Sequence, residues 1–295
     1  MNQPSTHVNI DGDVVLYSVG FASQTTYHVA DGKRFADRDD CRDFCERYDL
    51  AIDDIIKEYE AEPIEFALSS VKRLLARIKE GSKATTSTVL LTGGDNFRDG
   101  IATIQPYKGN RLDAPKPVHY QAIKDYLIQV HGAEVVEGEE ADDQLSIRCV
   151  QRGDTIATID KDLRNTSGWH YNWQKDELDY VGPHQADRNF YKQLITGDST
   201  DHIPGLFRIT GVRGKKAWKD ALDDMTEPMD MWKHVLNVYM DALKIKWQKA
   251  VTEDIVWDKA HMAAIHRDCT NYLIEIGRLL WMRREEEELW LPPGK

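Results

Sequence analysis

Short β-type runs that end on an aspartate constrain this chain more than any other feature. The run at 8–10 is followed at once by Asp11, and the run at 155–159 by Asp160, with Asp162 two residues on. A third run, 89–92, reaches Asp95 after Gly93 and Gly94, and a fourth lies at 134–136. Helical patterns separate most of them, at 53–59, 69–79, 120–130 and 141–150. In the second of these, Val71, Leu74, Leu75 and Ile78 share a face. Strands alternating with helices predict an α/β fold with a mostly parallel sheet flanked by helices. In open parallel sheets, sites form outside the carboxyl ends of the strands, so these acids are expected at one edge.

Two further acidic groups join them. EEADD, from Glu139 to Asp143, opens the pattern at 141–150, where Glu140 and Asp143 share a helix face. The positive end of that helix dipole favours ionised carboxylates. GDSTD carries Asp198 and Asp201, again three apart. Any one aspartate after a strand is most often a turn residue or helix cap, and Asp13 is read as such a cap. The whole set is harder to dismiss, because an unpaired acidic cluster is costly unless cations fill it. All-oxygen donors favour hard ions, Mg²⁺ or Mn²⁺, over zinc. There is no His-Glu-x-x-His, Gly-x-Ser-x-Gly or Walker-type phosphate loop.

The formal net charge of −12 argues by itself against nucleic-acid binding. The objection weakens if some of the acids are metal ligands, because bound dications reverse the local sign. Two basic stretches also stand out. Phe97 and Arg98, then Tyr107-Lys108-Gly109-Asn110-Arg111, combine cations with aromatics, a pattern suited to a phosphate and a stacked base. GLFRITGVRGKKAWK (205–219) carries Arg208, Arg213, Lys215, Lys216 and Lys219 between glycine-punctuated turns. It reads as a helix-hairpin-helix that grips the phosphodiester backbone without reading bases.

Hydrophobic residues make up 41% of the 295, enough for a sizeable core in one large domain or a domain with an appendage. No run approaches a membrane span, and the N-terminus lacks a secretory pattern, so a cytoplasmic location is expected. Cys41, Cys45, Cys149 and Cys269 show no zinc or redox spacing and are expected as reduced thiols. Residues 1–185 read as the catalytic α/β part, with a helical insertion at about 23–80 whose charged portion is 23–62. A Lys-, Arg- and Pro-rich segment begins at 107, and 186–295 reads as helical.

NIDGD (9–13), FRDGIATIQPYKGNR (97–111), EGEEADD (137–143), TIDKD (158–162) and GDSTDHIPG (197–205) appear in that order. With them the chain resembles the flap-endonuclease-type 5′ nuclease family. That family includes the 5′ nuclease domains of bacterial DNA polymerase I and phage 5′-to-3′ exonucleases. The tail EEELWLPP looks most like the exonucleases of short-tailed phages. The resemblance implies a PIN-like (resolvase-like) sheet followed by a helical helix-3-turn-helix subdomain, with a helix-hairpin-helix DNA-binding motif at about 198–220. It implies two-metal hydrolysis of DNA from a 5′ end, with flap cleavage as the alternative and RNA–DNA hybrids as possible substrates.

It further implies that Asp11, Asp95, Glu140 and Asp142 hold a first metal, and that Asp143, Asp160, Asp162, Asp198 and Asp201 hold or support a second. Lys108 and Arg111 would contact the scissile phosphate and Tyr107 would stack on the nucleotide. The segment 107–130, with Lys116, would arch over the 5′ end. Three departures stand in this sequence. The Gly93-Gly94 insertion leaves the register of Asp95 open by a residue or two; five residues, Leu206 to Thr210, separate the hairpin's Pro-Gly turn from the next glycine where the family usually has two; and Arg213 replaces the hairpin's usual second glycine, which puts a monovalent-cation site there in doubt. A PIN-type ribonuclease and a catalytically dead DNA-end binder are the rival readings.

Overall fold

The computed structural model describes residues 3–111, 114–251, 255 and 257–294. β1 (His7–Asp11) and α1 (Gly12–Ala22) open the chain. An excursion follows: β2 (Gln24–Ala30), β3 (Lys33–Phe35), α2 (Arg38–Arg47) and β4 (Ile56–Ala61). The α/β pattern resumes with α3 (Ile64–Gly81), β5 (Thr86–Thr92), the short α4 (Phe97–Ile101), α5 (Tyr120–His131), β6 (Glu134–Val136), α6 (Ala141–Arg152) and β7 (Thr155–Ala157). A hairpin of β8 (Gly168–Asn172) and β9 (Glu177–Val181) completes the main sheet. The rest is largely helical: α7 (Pro183–Thr196), a two-residue ladder of β10 (Gly197–Asp198) and β11 (Ile203–Pro204), α8 (Leu206–Thr210), α9 (Lys216–Asp220), α10 (Pro228–Lys249) and α11 (Lys259–Leu280).

The main sheet runs β6-β5-β1-β7-β8-β9 and is parallel except for β9. The chain is therefore α/β, with a mostly parallel sheet flanked by helices. β1 is central: Ile10 pairs with Val89 on one side and Ala157 on the other. Its buried residues match its position, since strands covered on both faces lose the polar alternation of half-exposed ones. α1, α3 and α5 cover one face through Val15, Leu16, Val71, Ile78, Ile123 and Leu127. α6 covers the other through Leu145 and Cys149. The C-terminal helices form a separate core around Phe190, Tyr239, Leu273 and Trp290. No described helix is long and apolar enough to cross a membrane. All four cysteines are buried free thiols.

Four expectations change. The charged stretch 23–62 is not helical: it is a three-stranded antiparallel sheet, ordered β3-β2-β4, with one helix packed against it. Residues 53–59, read as a helix, form the end of a 3-10 turn and most of β4, because Tyr59 pairs with Thr26 across the ladder. Asp31 and Gly32 carry φ of 47° and 72°, the two left-handed positions of a tight hairpin turn. The expected helical insertion up to residue 80 also fails at its far end, because α3 belongs to the main layer. The helix at 120–130, expected in an arch, is α5, and it buries Ile123 and Leu127 in the main core. Arch residues 112 and 113 lie outside the described residues.

Candidate functional site

The carboxyl ends of β1, β5 and β7 meet the N-terminus of α6 around a cleft of about 560 Å³. Asp11, Asp13, Glu140, Asp142, Asp160 and Asp201 line it, with Lys108, Arg111, Lys116 and Lys124 on its basic side. Asp11 is the last residue of β1 and caps α1, accepting from the Val14 amide at 2.9 Å. Its other oxygen accepts from the Thr158 hydroxyl at 2.7 Å, just beyond β7. Thr158 also accepts from the Asp160 amide at 3.0 Å, so one hydroxyl links two acids. Gly12 permits this close packing: a Cβ there would stand 2.4 Å from the Leu90 carbonyl oxygen.

At the end of β5 the acid expected from the sequence is replaced by its neighbours. Asp95 is exposed and outside the cleft lining. Thr92 occupies that strand end, donating its amide to Asp13 at 3.0 Å and accepting from the Ala141 amide at 3.0 Å. Asp13, read as a helix cap, lines the cleft, and the cap is Asp11. The first turn of α1 lies against the end of β5, so Asp13 reaches the position that two extra glycines take away from Asp95.

α6 starts with a capping box in which Glu140 and Asp143 exchange backbone hydrogen bonds. The two acids then diverge. Glu140 faces the cleft, paired with the Lys108 ammonium and accepting the Tyr107 hydroxyl at 2.9 Å. Asp143 is fully buried behind it, held by the Arg98 guanidinium through both oxygens. It also accepts the Arg283 amide at 3.1 Å. Arg98, expected to meet DNA, is 1% exposed and donates from Nε to the Leu279 carbonyl and from Nη2 to the Trp281 carbonyl. It is an interior strut, beyond the reach of a phosphate. Arg283 packs over the Phe97 ring at 3.6 Å and pairs with Glu139 at 2.7 Å. The chain after α11 thus locks the acid-bearing end of α6, a role with no motif in the sequence.

Tyr107, expected to stack on a nucleotide, is 8% exposed, with its ring in the helical core and its hydroxyl on Glu140 and Asp201. Lys108 and Arg111 do reach the cleft. Arg111 pairs with Asp201 at 2.7 Å and donates to the Thr200 carbonyl at 2.8 Å. Lys108 holds a left-handed φ of 51°, and its amide bonds the Asp201 carbonyl at 2.9 Å. Beside the cleft, Asp162 and Asp198 form a hydrogen-bonded carboxyl pair. Asp198 also accepts the Thr200 amide at 2.7 Å. The structure therefore brings Asp11, Asp13, Glu140, Asp142, Asp160 and Asp201 together, sets Asp162 and Asp198 alongside, and leaves Asp95 and Asp143 apart.

The electrostatics follow from burial and crowding. Burial, with repulsion from Asp13 and Asp160, pushes the Asp11 carboxyl up to about 7. Burial and the charges of Asp11, Asp160 and Glu140 push Asp142 well above the carboxylate range. Burial and the hydrogen bond with Asp198 raise Asp162 to about 8. Burial also acts upward on Glu140, but Lys108 and Arg98 outweigh it and bring its pKa below the usual value. Such displaced carboxylates in a cleft are a signature of functional sites.

The donor set is all oxygen and excess negative, which suits a hard divalent cation. Among the described residues no three carboxylate, imidazole or thiol side chains are drawn together in a finished metal site. Ligation would need Asp11, Asp142 and Asp160 to close inward.

The helical part offers a second charged surface. α8 and α9 are joined by 211–215, with Gly211 left-handed at φ 71°. Arg208, Arg213, Lys215 and Lys216 are all exposed there. Lys116 lies at the cleft with its ammonium 4.4 Å from the Tyr120 ring centre.

No family model and no curated protein matches the chain. Among solved structures it is similar to the T5 D15 protein co-crystallised with metal ions, at 14% identity and a TM-score of 0.43, over 90% of this chain and 98% of that one. It is similar as well to a variant of the bacteriophage T5 D15 flap endonuclease in a pseudo-enzyme-product complex with DNA and metal ions. There the identity is 13% and the TM-score 0.42, over 90% of this chain and 98% of the other.

Proposed function

We propose that this chain is a divalent-metal-dependent 5′ nuclease, hydrolysing DNA phosphodiesters from 5′ ends in the manner of a 5′-to-3′ exonuclease. The observation that carries the reading is the convergence of Asp11, Asp13, Asp142 and Asp160 opposite Lys108 and Arg111 in one cleft at the strand ends. The acids are of the kind that hold cations, and the bases are of the kind that hold a phosphate. Asp11, Asp142 and Asp160 would hold Mg²⁺ or Mn²⁺, two ions in the family pattern, which would supply Lewis-acid polarisation of the phosphodiester.

The chain's own groups then have distinct tasks. Lys108 and Arg111 are tethered by Glu140 and Asp201, which orients them before substrate arrives. A phosphate entering the cleft takes over part of those contacts, and the same cations offset charge developing on it in the transition state. Thr158 fixes one Asp11 oxygen and the Asp160 backbone, so these two acids keep a common orientation. Arg208, Arg213, Lys215 and Lys216 grip the duplex backbone away from the cut without reading sequence. RNA in a hybrid with DNA fits the same backbone contacts.

The test is digestion of a 5′-labelled linear duplex beside a matched 5′-flap substrate, in Mg²⁺ and in EDTA. The reading expects Mg²⁺-dependent release of 5′-phosphorylated mononucleotides and short oligonucleotides from the linear duplex. Cleavage confined to the flap would make the chain a structure-specific endonuclease, and full activity in EDTA would sink the metal reading.

A further inference from the structure

The segment that leaves α11 returns to α6 and meets it at the turn that carries the cleft acids. Arg283 is its central contact. Its Nη1 donates to the Glu139 carboxylate at 2.7 Å, and its Nε donates to the Glu288 carbonyl at 3.1 Å. Its Cζ lies 3.6 Å from the centre of the Phe97 ring, and its backbone amide donates to Asp143 at 3.1 Å. The other Glu139 oxygen accepts from the Gln144 side-chain amide at 2.8 Å, and that amide also donates to Glu286 at 3.0 Å. Glu139 and Arg283 are both buried.

Arg283 therefore holds the residues on either side of two cleft acids. Glu139 immediately precedes Glu140, which orients Lys108, and Asp143 immediately follows Asp142. The turn itself is tied to the same ring: the Phe97 amide donates to the Gly138 carbonyl at 3.1 Å, and Gly138 has a left-handed φ of 81°. Without Arg283, the Glu139 carboxylate would stay buried beside Glu140 with no cation, a costly state relieved by moving the turn outward. A guanidinium suits the place because a carboxylate, a carbonyl and a ring face are engaged at once, which a compact ammonium cannot match. A shift of about 1 Å in a group that positions reacting partners can lower a rate by about a hundredfold.

We propose that Arg283 is a positioning residue of the acidic cleft: through Glu139 it sets the place of Glu140 and Asp142, and with it the cleft's affinity for a divalent cation. The proposal rests on the nuclease reading for the cation and adds to it a residue from the far end of the chain. The role differs from that of Arg98. Loss of an interior strut unfolds the chain, whereas loss of a positioning contact leaves a folded chain with a displaced acid.

The experiment titrates Mg²⁺ into the full chain without DNA, followed by calorimetry, and in parallel into a cleavage assay on 5′-labelled duplex. In Arg283→Gln the half-saturating Mg²⁺ concentration should rise about tenfold in both, the scale of loss when groups supporting metal ligands are removed. KM for the DNA should stay within about twofold, since no DNA contact is lost. Glu139→Gln should give the same shift. The double variant should shift no further than either single one, because the two residues act as one unit. It also removes both buried charges together, which keeps the test open if a single variant does not fold. A merely structural role lowers the folded fraction and leaves the Mg²⁺ half-saturation where it was. That result, or shifts that multiply in the double variant, overturns the proposal. The calorimetry separates the two claims. If the wild type binds Mg²⁺ but cuts no DNA, the nuclease reading fails and the positioning role is judged on the calorimetric shift. If the wild type cuts and no variant moves the half-saturation, only the positioning role fails.

Discussion

Asp13 and Asp95 show how finely a metal-type cleft depends on register. Two glycines carry Asp95 out to solvent, while the first turn of α1 brings Asp13 to the same strand end, with its oxygen on the Thr92 amide. Asp13→Asn should therefore lower Mg²⁺-dependent cleavage by ten- to a hundredfold, the size of effect seen when groups supporting metal ligands are lost. Asp95→Asn should leave it within twofold. Parallel turnover measurements at saturating DNA decide this, and equal losses in both would return Asp95 to the site. The sequence made most of the cleft legible because Asp11, Glu140, Asp142 and Asp160 sit directly at element ends. Asp13 was not legible, because a helix cap and a site acid look alike until the helix direction is known. Arg98 and Tyr107 were misplaced for a related reason: a motif shows that a cation and a ring are required, not whether they face substrate or interior.

At the level of elements, α6 depends on the end of the chain. Its N-terminus is locked by the Arg98–Asp143 pair, by the carbonyls of Leu279 and Trp281, and by the Arg283–Glu139 pair. Removing one member of a buried ion pair leaves the other charge uncompensated, at about 3–5 kcal/mol. Arg98→Met should lower unfolding stability by that amount, measured by denaturant melts, and Asp143→Asn should also destabilise. A loss below 1 kcal/mol for Arg98→Met would mean that the tail does not hold the helix. None of this was readable from local pattern, since the contacts join residues 45 to 183 positions apart. The hairpin of β2 and β3 had a local signal in Asp31-Gly32, the strongest short hairpin cue, which the surrounding charge disguised. Strands β1, β5 and β6 were legible from short apolar runs, as was β7, although the run 155–159 reads two residues past its end at Ala157, while β8 and β9 were missed because their aromatic alternation is brief.

Across the whole molecule, the negative charge is concentrated where its titration acts on stability. Asp11 is raised to about 7 and Asp162 to about 8, so the folded chain holds protons that the unfolded chain releases near 4. The sign follows directly. These groups contribute stability that is complete below pH 4 and lost as pH rises through about 7 and 8. A cation that neutralises the cluster should restore it. Melting temperature in EDTA should therefore fall between pH 5.5 and 8, and the rise produced by Mg²⁺ should be largest at pH 8, read by thermal shift across that range. A Mg²⁺ effect that is flat or that shrinks with pH would show that these acids do not meet the ion.

The central claim is that the cleft acids carry metal-dependent cleavage, and the most direct measurement is the double variant Asp160→Asn with Asp162→Asn. Both side chains keep their size and lose the capacity to ionise. Assayed on 5′-labelled duplex in Mg²⁺, cleavage should vanish while affinity for the DNA end stays within a few fold of wild type. Retained cleavage in that variant would contradict the account.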